Sequence, residues 1–120
     1  MNHIEDTEQI HLFDWAAMQS GKYPELMSLF HIPNGGKRDA REAARFKRMG
    51  VKPGVPDLFL PVPRGGFHGL FIELKAPKGK PTDNQAKWLS VLEARGYAAC
   101  ICFGFDEARR DIINYLEGKL

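Results

Sequence analysis

Three charged residues stand where an apolar stretch is otherwise continuous. In GVPDLFLPVPRGGFHGLFIELKAP, residues 54–77, Asp57 opens one apolar run, and Glu73 and Lys75 lie within or against the next. Charged side chains are rarely buried without a partner or a metal. The PRGG turn predicts a hairpin, which brings Asp57 and Glu73 together across 16 residues of sequence. Two carboxylates converging among apolar side chains repel unless a cation joins them. Oxygen ligation without sulphur suits Mg²⁺ or Mn²⁺, which keep waters and complete their shell from substrate phosphate. Glu73 and Lys75 are two apart, so on a strand they share one side and Leu74 faces the other. An ammonium placed there suits orienting or deprotonating a water that attacks a phosphodiester, and steadying the charge that develops. The same spacing also fits a hairpin salt bridge between Lys75 and either carboxylate.

No Ser or Cys is placed with a His and a carboxylate, so metal-activated water is the natural attacking group. Cys100 and Cys102, in YAACICF, fall on one strand face beside Ala98. With no second ligand pair in the sequence they read as small buried apolar residues. His3, His11, His31 and His68 form no metal-ligand spacing. Gln85, in TDNQAKWLSVLEA, shares a helix face with Trp88, Leu89 and Leu92. A polar amide there needs a partner, and Thr82-x-x-Gln85 supplies one as a capping box. Arg38, Arg41, Arg45 and Arg48 are spaced 3, 4 and 3, one stripe suited to phosphate oxygens, with Ala40, Ala43 and Ala44 as a small packing face. A solvated charged surface is the plainer account of that stripe. Asn34, Gly35 and Gly36 let backbone amides approach a phosphate, or simply turn the chain.

The elements that must position these groups follow from the pattern. Helices are expected at 5–20, with Leu12, Phe13, Ala16 and Ala17 inward, and at 37–49, 83–95 and 106–118. Strands are expected at 26–32, 57–62, 69–75 and 97–103, giving the order αβαββαβα. The runs LFL, LFI and AACICF lack an alternating polar face, which predicts strands covered on both sides in a mixed four-stranded sheet flanked by helices. The hairpin strands are antiparallel, and the helix before YAACICF permits a parallel return. Phe67 and Tyr115 are open to two readings, interface or core.

A chain of 120 residues with 43% hydrophobic and 27% charged residues implies one globular domain, residues 1–120. No apolar run reaches the ~20 residues of a membrane span. The acidic start MNHIEDTEQ lacks the apolar core of a signal peptide, so the expected location is the cytoplasm. Charge is segregated. Six basic residues against two acidic ones between Lys37 and Arg48 face four acidic residues in the first 20, which favours a polyanion partner.

Pro56-Asp57 followed by Glu73-Leu74-Lys75 resembles the PD-(D/E)xK nuclease motif. The strings HIPNGGKR, GVKPGVPDLFLP and GLFIELKAP, in that order, are similar to the virus-type replication-repair nuclease (VRR-NUC) family, from Glu5 to about Ile113. The resemblance implies a restriction-endonuclease-like α/β core and a Mg²⁺-dependent DNA endonuclease, with Mn²⁺ able to substitute. It implies Asp57, Glu73 and the Leu74 backbone carbonyl as metal ligands, Lys75 as the catalytic lysine and Gln85 as an active-site residue; with DNA as the polyanion, the stripe of Arg38, Arg41, Arg45 and Arg48, together with Asn34, is the expected DNA contact. It also implies a glutamate on the first helix. Glu8 has the family spacing to Leu12 and Trp15, whereas Glu5 lies nearer the apolar face, and Glu8 is preferred. Stand-alone members resemble phage or bacterial Holliday-junction resolvases that act as homodimers. The rivals are a monomeric flap- or nick-directed repair nuclease and a non-catalytic DNA-binding module.

Overall fold

The computed structural model describes residues 3–33 and 39–120. Helix α1, His3–Met18, buries Leu12 and Ala16, four apart and hence on one face, with Phe13 and Trp15 packed beside them. Ala17, expected inward, is exposed. The strand expected at 26–32 is mostly a short 3₁₀-helix, Pro24–Ser28, and only Phe30–His31 forms strand β1. Pro24 presets the helical φ. The three-residue spacing of buried Leu26 and Leu29 is what a 3₁₀ turn places on one side.

Helix α2, Ala40–Arg48, starts after Asp39, whose carboxylate accepts the Glu42 N–H at 2.8 Å. No residue of α2 is buried, so Ala40, Ala43 and Ala44 do not form the packing face expected of them. Methyl groups alone offer little area to hold a nine-residue helix down.

Strands β2, Leu58–Leu60, and β3, Leu70–Lys75, form the hairpin; β4, Ala98–Phe103, lies on the far side of β3. The sheet order is β1-β2-β3-β4, antiparallel except for the parallel β3–β4 pair. Helix α3, Asp83–Ala94, makes the crossover and α4, Phe105–Leu116, follows β4. The hairpin tip has Gly65 and Gly66 at φ +58° and +88°, two successive left-handed residues that only glycine adopts cheaply. Arg64 and Phe67 close it with reciprocal backbone bonds of 3.2 and 2.8 Å.

One sheet face is dry: Leu58, Leu60, Leu70, Ile72, Leu74, Ala98 and Cys102 are buried in a core completed by Leu12, Ala16, Ala108, Ile112 and Tyr115 from α1 and α4. The opposite face is only partly covered, contrary to the two-sided burial expected, since Phe59, Phe71 and Ile101 remain half-exposed. Phe59 and Phe71 shield each other there, stacked at 4.2 Å. Tyr115 is a core residue, 1% exposed, with its hydroxyl donating to the Val62 carbonyl at 2.6 Å, and Phe67 packs against it. Among the described residues no helix is long and apolar enough to cross a membrane.

Candidate active site

The hairpin register sets the site. Leu58 pairs with Ile72 and Phe59 with Phe71, so the next step outward brings Asp57 opposite Glu73, on the half-covered face. The Asp57 carboxylate accepts the Leu74 N–H at 2.9 Å. A further step sets Pro56 opposite Leu74, and Pro56 has no N–H to give the Leu74 carbonyl. The proline of the motif therefore keeps a ladder donor away from that oxygen. Asp57 is also fixed from the other side, its carbonyl accepting the Ile32 N–H at 2.6 Å and lying 3.0 Å from His31 Nδ1.

Among the described residues Glu73, 3% exposed, is the buried charged one. Its Oε2 accepts the Gln85 side-chain N–H at 3.1 Å and lies 3.7 Å from Lys75 Nζ. Gln85 makes two sets of contacts. Its Oε1 accepts the Thr82 N–H at 2.8 Å, closing the capping box of α3, while its Nε2 reaches Glu73. The cap thereby orients the amide that holds the carboxyl.

Burial, then the Asp57 charge and a hydrogen bond to Asp57, push the Glu73 pKa up to about 8; Lys75 opposes this and Glu5 adds to it. Asp57 is also raised, by burial first, against the lowering influence of the Leu74 N–H, Glu73 and His31. A lysine at 3.7 Å is beyond the ~2.7–2.9 Å of a strong charge-assisted bond, so the salt bridge alone does not neutralise the pair. Near neutral pH Glu73 retains a proton. A hard divalent cation replacing that proton relieves both carboxyls, and the donors at hand, two carboxylates and a peptide carbonyl, are all oxygen. The residues fit such an ion.

Comparison with known proteins agrees with the geometry. The VRR-NUC domain model matches residues 6–106. A solved structure described as a VRR_NUC domain protein superposes with a TM-score of 0.84 at 34% identity, over 98% of this chain and 91% of that one. The chain belongs to the VRR-NUC family. No curated protein matches it at a significant level. VRR-NUC is a nuclease family, typically metal-dependent, so the chain is a nuclease domain whose implied substrate is DNA.

Within this VRR-NUC domain, the two glutamates of α1 take different places. Glu8 Oε2 accepts the Phe105 N–H at 3.1 Å and thus serves the start of α4. Glu5 is the α1 residue whose charge acts on both Asp57 and Glu73. Glu8, the glutamate preferred from the sequence, thus meets the start of α4, and Glu5 is the one whose charge reaches the carboxyl pair. Arg41, Arg45 and Arg48 are exposed along α2, and the Arg45 guanidinium lies 5.2 Å from the Phe46 ring centroid. Asn34 and Arg38 lie outside the described residues.

Two residues of the site were not singled out from sequence. His31 had no role because its spacing to other histidines carries no signal, yet it touches the Asp57 backbone. Gly54, at φ +90°, packs so closely on α3 that a Cβ there would lie 2.6 Å from the Asn84 backbone. The KPGVP string showed a turn but not what it approaches.

Proposed function

We propose that this domain is a Mg²⁺-dependent, structure-specific endonuclease that hydrolyses phosphodiester bonds in branched DNA, acting as a homodimer on four-way junctions. The observation that carries the catalytic part is half-buried Asp57 set against buried Glu73 beside Lys75, with Gln85 holding Glu73. Asp57, Glu73 and the Leu74 carbonyl would hold the metal, with Glu5 facing it from α1. When bound, Mg²⁺ supplies Lewis-acid charge on the scissile phosphate and lowers the pKa of the attacking water.

Lys75 Nζ donates toward the oxygens around that phosphate and orients the water, one residue past the Leu74 carbonyl. Gln85 keeps the Glu73 carboxylate in a single rotamer, its own amide fixed at Thr82. Asp57 and Lys75 lie on the half-covered sheet face, from which a strand would approach. Exposed Arg41, Arg45 and Arg48 provide phosphate contacts beyond the reacting bond. Two-fold symmetry suits a substrate needing two related cuts.

The experiment uses labelled four-way junctions and flaps with Mg²⁺ or EDTA, comparing wild type with Glu73→Ala and Lys75→Ala, alongside light scattering. Paired junction cuts by a dimer, lost in both variants, support the proposal. A monomer that cuts flaps and spares junctions points to a repair nuclease. DNA binding without Mg²⁺-dependent cleavage points to a non-catalytic module. Cleavage undiminished in both variants excludes this site.

A further inference from the structure

A second cluster of potential ligands lies on the other side of the sheet from Glu73. In the β3–β4 register Cys100 pairs with Ile72 and Cys102 with Leu74, so both thiols point to the α4 face while Glu73 and Lys75 point away. Asp111, on α4, completes the group. Among the described residues, Cys100, Cys102 and Asp111 are a set of three whose donor atoms all lie within 4.8 Å of one another. The sequence showed only Cys-x-Cys; the fold supplies the third ligand from nine residues past Cys102.

The spacing is that of a metal's coordination shell. Zn²⁺ binds thiolate at about 2.3 Å and carboxylate oxygen at about 2.0 Å, so tetrahedral angles of about 109° set two sulphurs about 3.8 Å apart and sulphur from oxygen about 3.5 Å. The Cys100–Cys102 sulphur distance is 3.7 Å, and Cys102 Sγ lies 3.3 Å from Asp111 Oδ2. Two of the three edges of the tetrahedral face are thus already formed. Cys102 is fully buried, while Cys100 and Asp111 are half-exposed, which leaves the fourth position open toward solvent at strand β4.

We propose that Cys100, Cys102 and Asp111 form a site for a thiophilic divalent cation of the Zn²⁺ class, with water as the fourth ligand, distinct from the nuclease centre. Thiolate donors suit Zn²⁺ and Cd²⁺ and discriminate against Mg²⁺, whereas the carboxylates around Glu73 do the reverse. Binding exchanges two thiol protons for one cation. The metal would tie β4 to α4, and Cys102 is the register partner of Leu74 on the catalytic strand.

The test is titration of the reduced full chain with Cd²⁺, followed by the ultraviolet thiolate-to-metal charge-transfer band, and with Zn²⁺ in weak buffer, followed by proton release. One equivalent per chain, about two protons released, and displacement of the Cd²⁺ band by Zn²⁺ but not Mg²⁺ are expected. The band should persist in Glu73→Gln. Cys100→Ser should remove it, and Asp111→Asn should weaken binding at least ~10-fold, each with an unchanged circular dichroism spectrum in the absence of metal. No band at one equivalent, or an undiminished band in Cys100→Ser, overturns the site. Cys100 and Asp111 are chosen because neither is fully buried, so both variants should fold.

Discussion

Glu73→Gln separates a residue kept for chemistry from one kept for the fold. In the folded apo-protein the Glu73 carboxyl titrates near 8, against a reference value of 4.5. The native state therefore holds a proton that the unfolded chain releases across this window. Its contribution is fully present below pH 4.5 and is lost as pH rises through about 8. At about 1.4 kcal/mol per pKa unit the whole loss is at most about 5 kcal/mol. Asp57 is raised too, which adds a loss of the same sign. Glutamine reproduces the protonated acid: its oxygen can accept from Gln85 and its NH₂ can donate to Asp57. The variant should match wild type in stability near pH 4.5 and exceed it by several kcal/mol above pH 8 in EDTA. Urea unfolding from pH 4.5 to 9 measures this. Saturating Mg²⁺, at about 100 times its Kd, should restore about 2.7 kcal/mol to wild type above pH 8 and little to the variant, which should not cleave DNA. Parallel stability profiles for the two proteins, or a variant that still cleaves, would refute the reading of Glu73 as a metal-bound carboxylate.

Lys75→Met should abolish cleavage while Mg²⁺-dependent stabilisation, measured by thermal unfolding, persists. Replacing Arg41, Arg45 and Arg48 with Ala should weaken DNA binding and flatten its salt dependence by about 0.9 for each arginine that meets a phosphate, read from log Kd against log salt. Gly54→Ala forces a left-handed φ at a cost of about 1–2 kcal/mol and drives a methyl into the Asn84 backbone, so denaturant unfolding should show at least that loss together with reduced activity. Glu5→Gln should weaken Mg²⁺ affinity with little change in apo stability. Glu8→Ala should cost about 0.5–2 kcal/mol, as removal of a helix cap does, with Mg²⁺ affinity unchanged.

The parts of the site that local rules govern were legible in the sequence. PRGG between two apolar runs determines a hairpin, and the alternation of a strand determines that Glu73 and Lys75 share a side; both hold. Thr82-x-x-Gln85 determines a capping box, which also holds, but only tertiary packing reveals that the same amide reaches Glu73. Spacing along α1 does not separate Glu5 from Glu8, for a related reason. Both lie on α1, and what separates them is the Phe105 N–H that opens a helix some hundred residues away. The alanines of α2 failed because periodicity predicts a face without predicting that anything covers it. His31 and Asp111 act through partners on other elements, so no local spacing marks them.

The two faces of β3 explain why the carboxylates tolerate their burial. Leu70, Ile72 and Leu74 point into the core, and Phe71, Glu73 and Lys75 point to the half-covered face. A register slip of one residue, with its alternation reversed, would drive Glu73 and Lys75 in among Leu12, Ala108 and Ile112, where neither charge has a partner. It would also bring Leu70, Ile72 and Leu74 out beside Asp57. The apolar face thus enforces the polar one. Leu58 opposite Ile72 and Leu60 opposite Leu70 lock the pairing that sets Asp57 against Glu73. The electrostatic cost of that pair is local and modest beside the burial of one continuous leucine-rich face, so the fold can hold two repelling carboxyls ready for a cation.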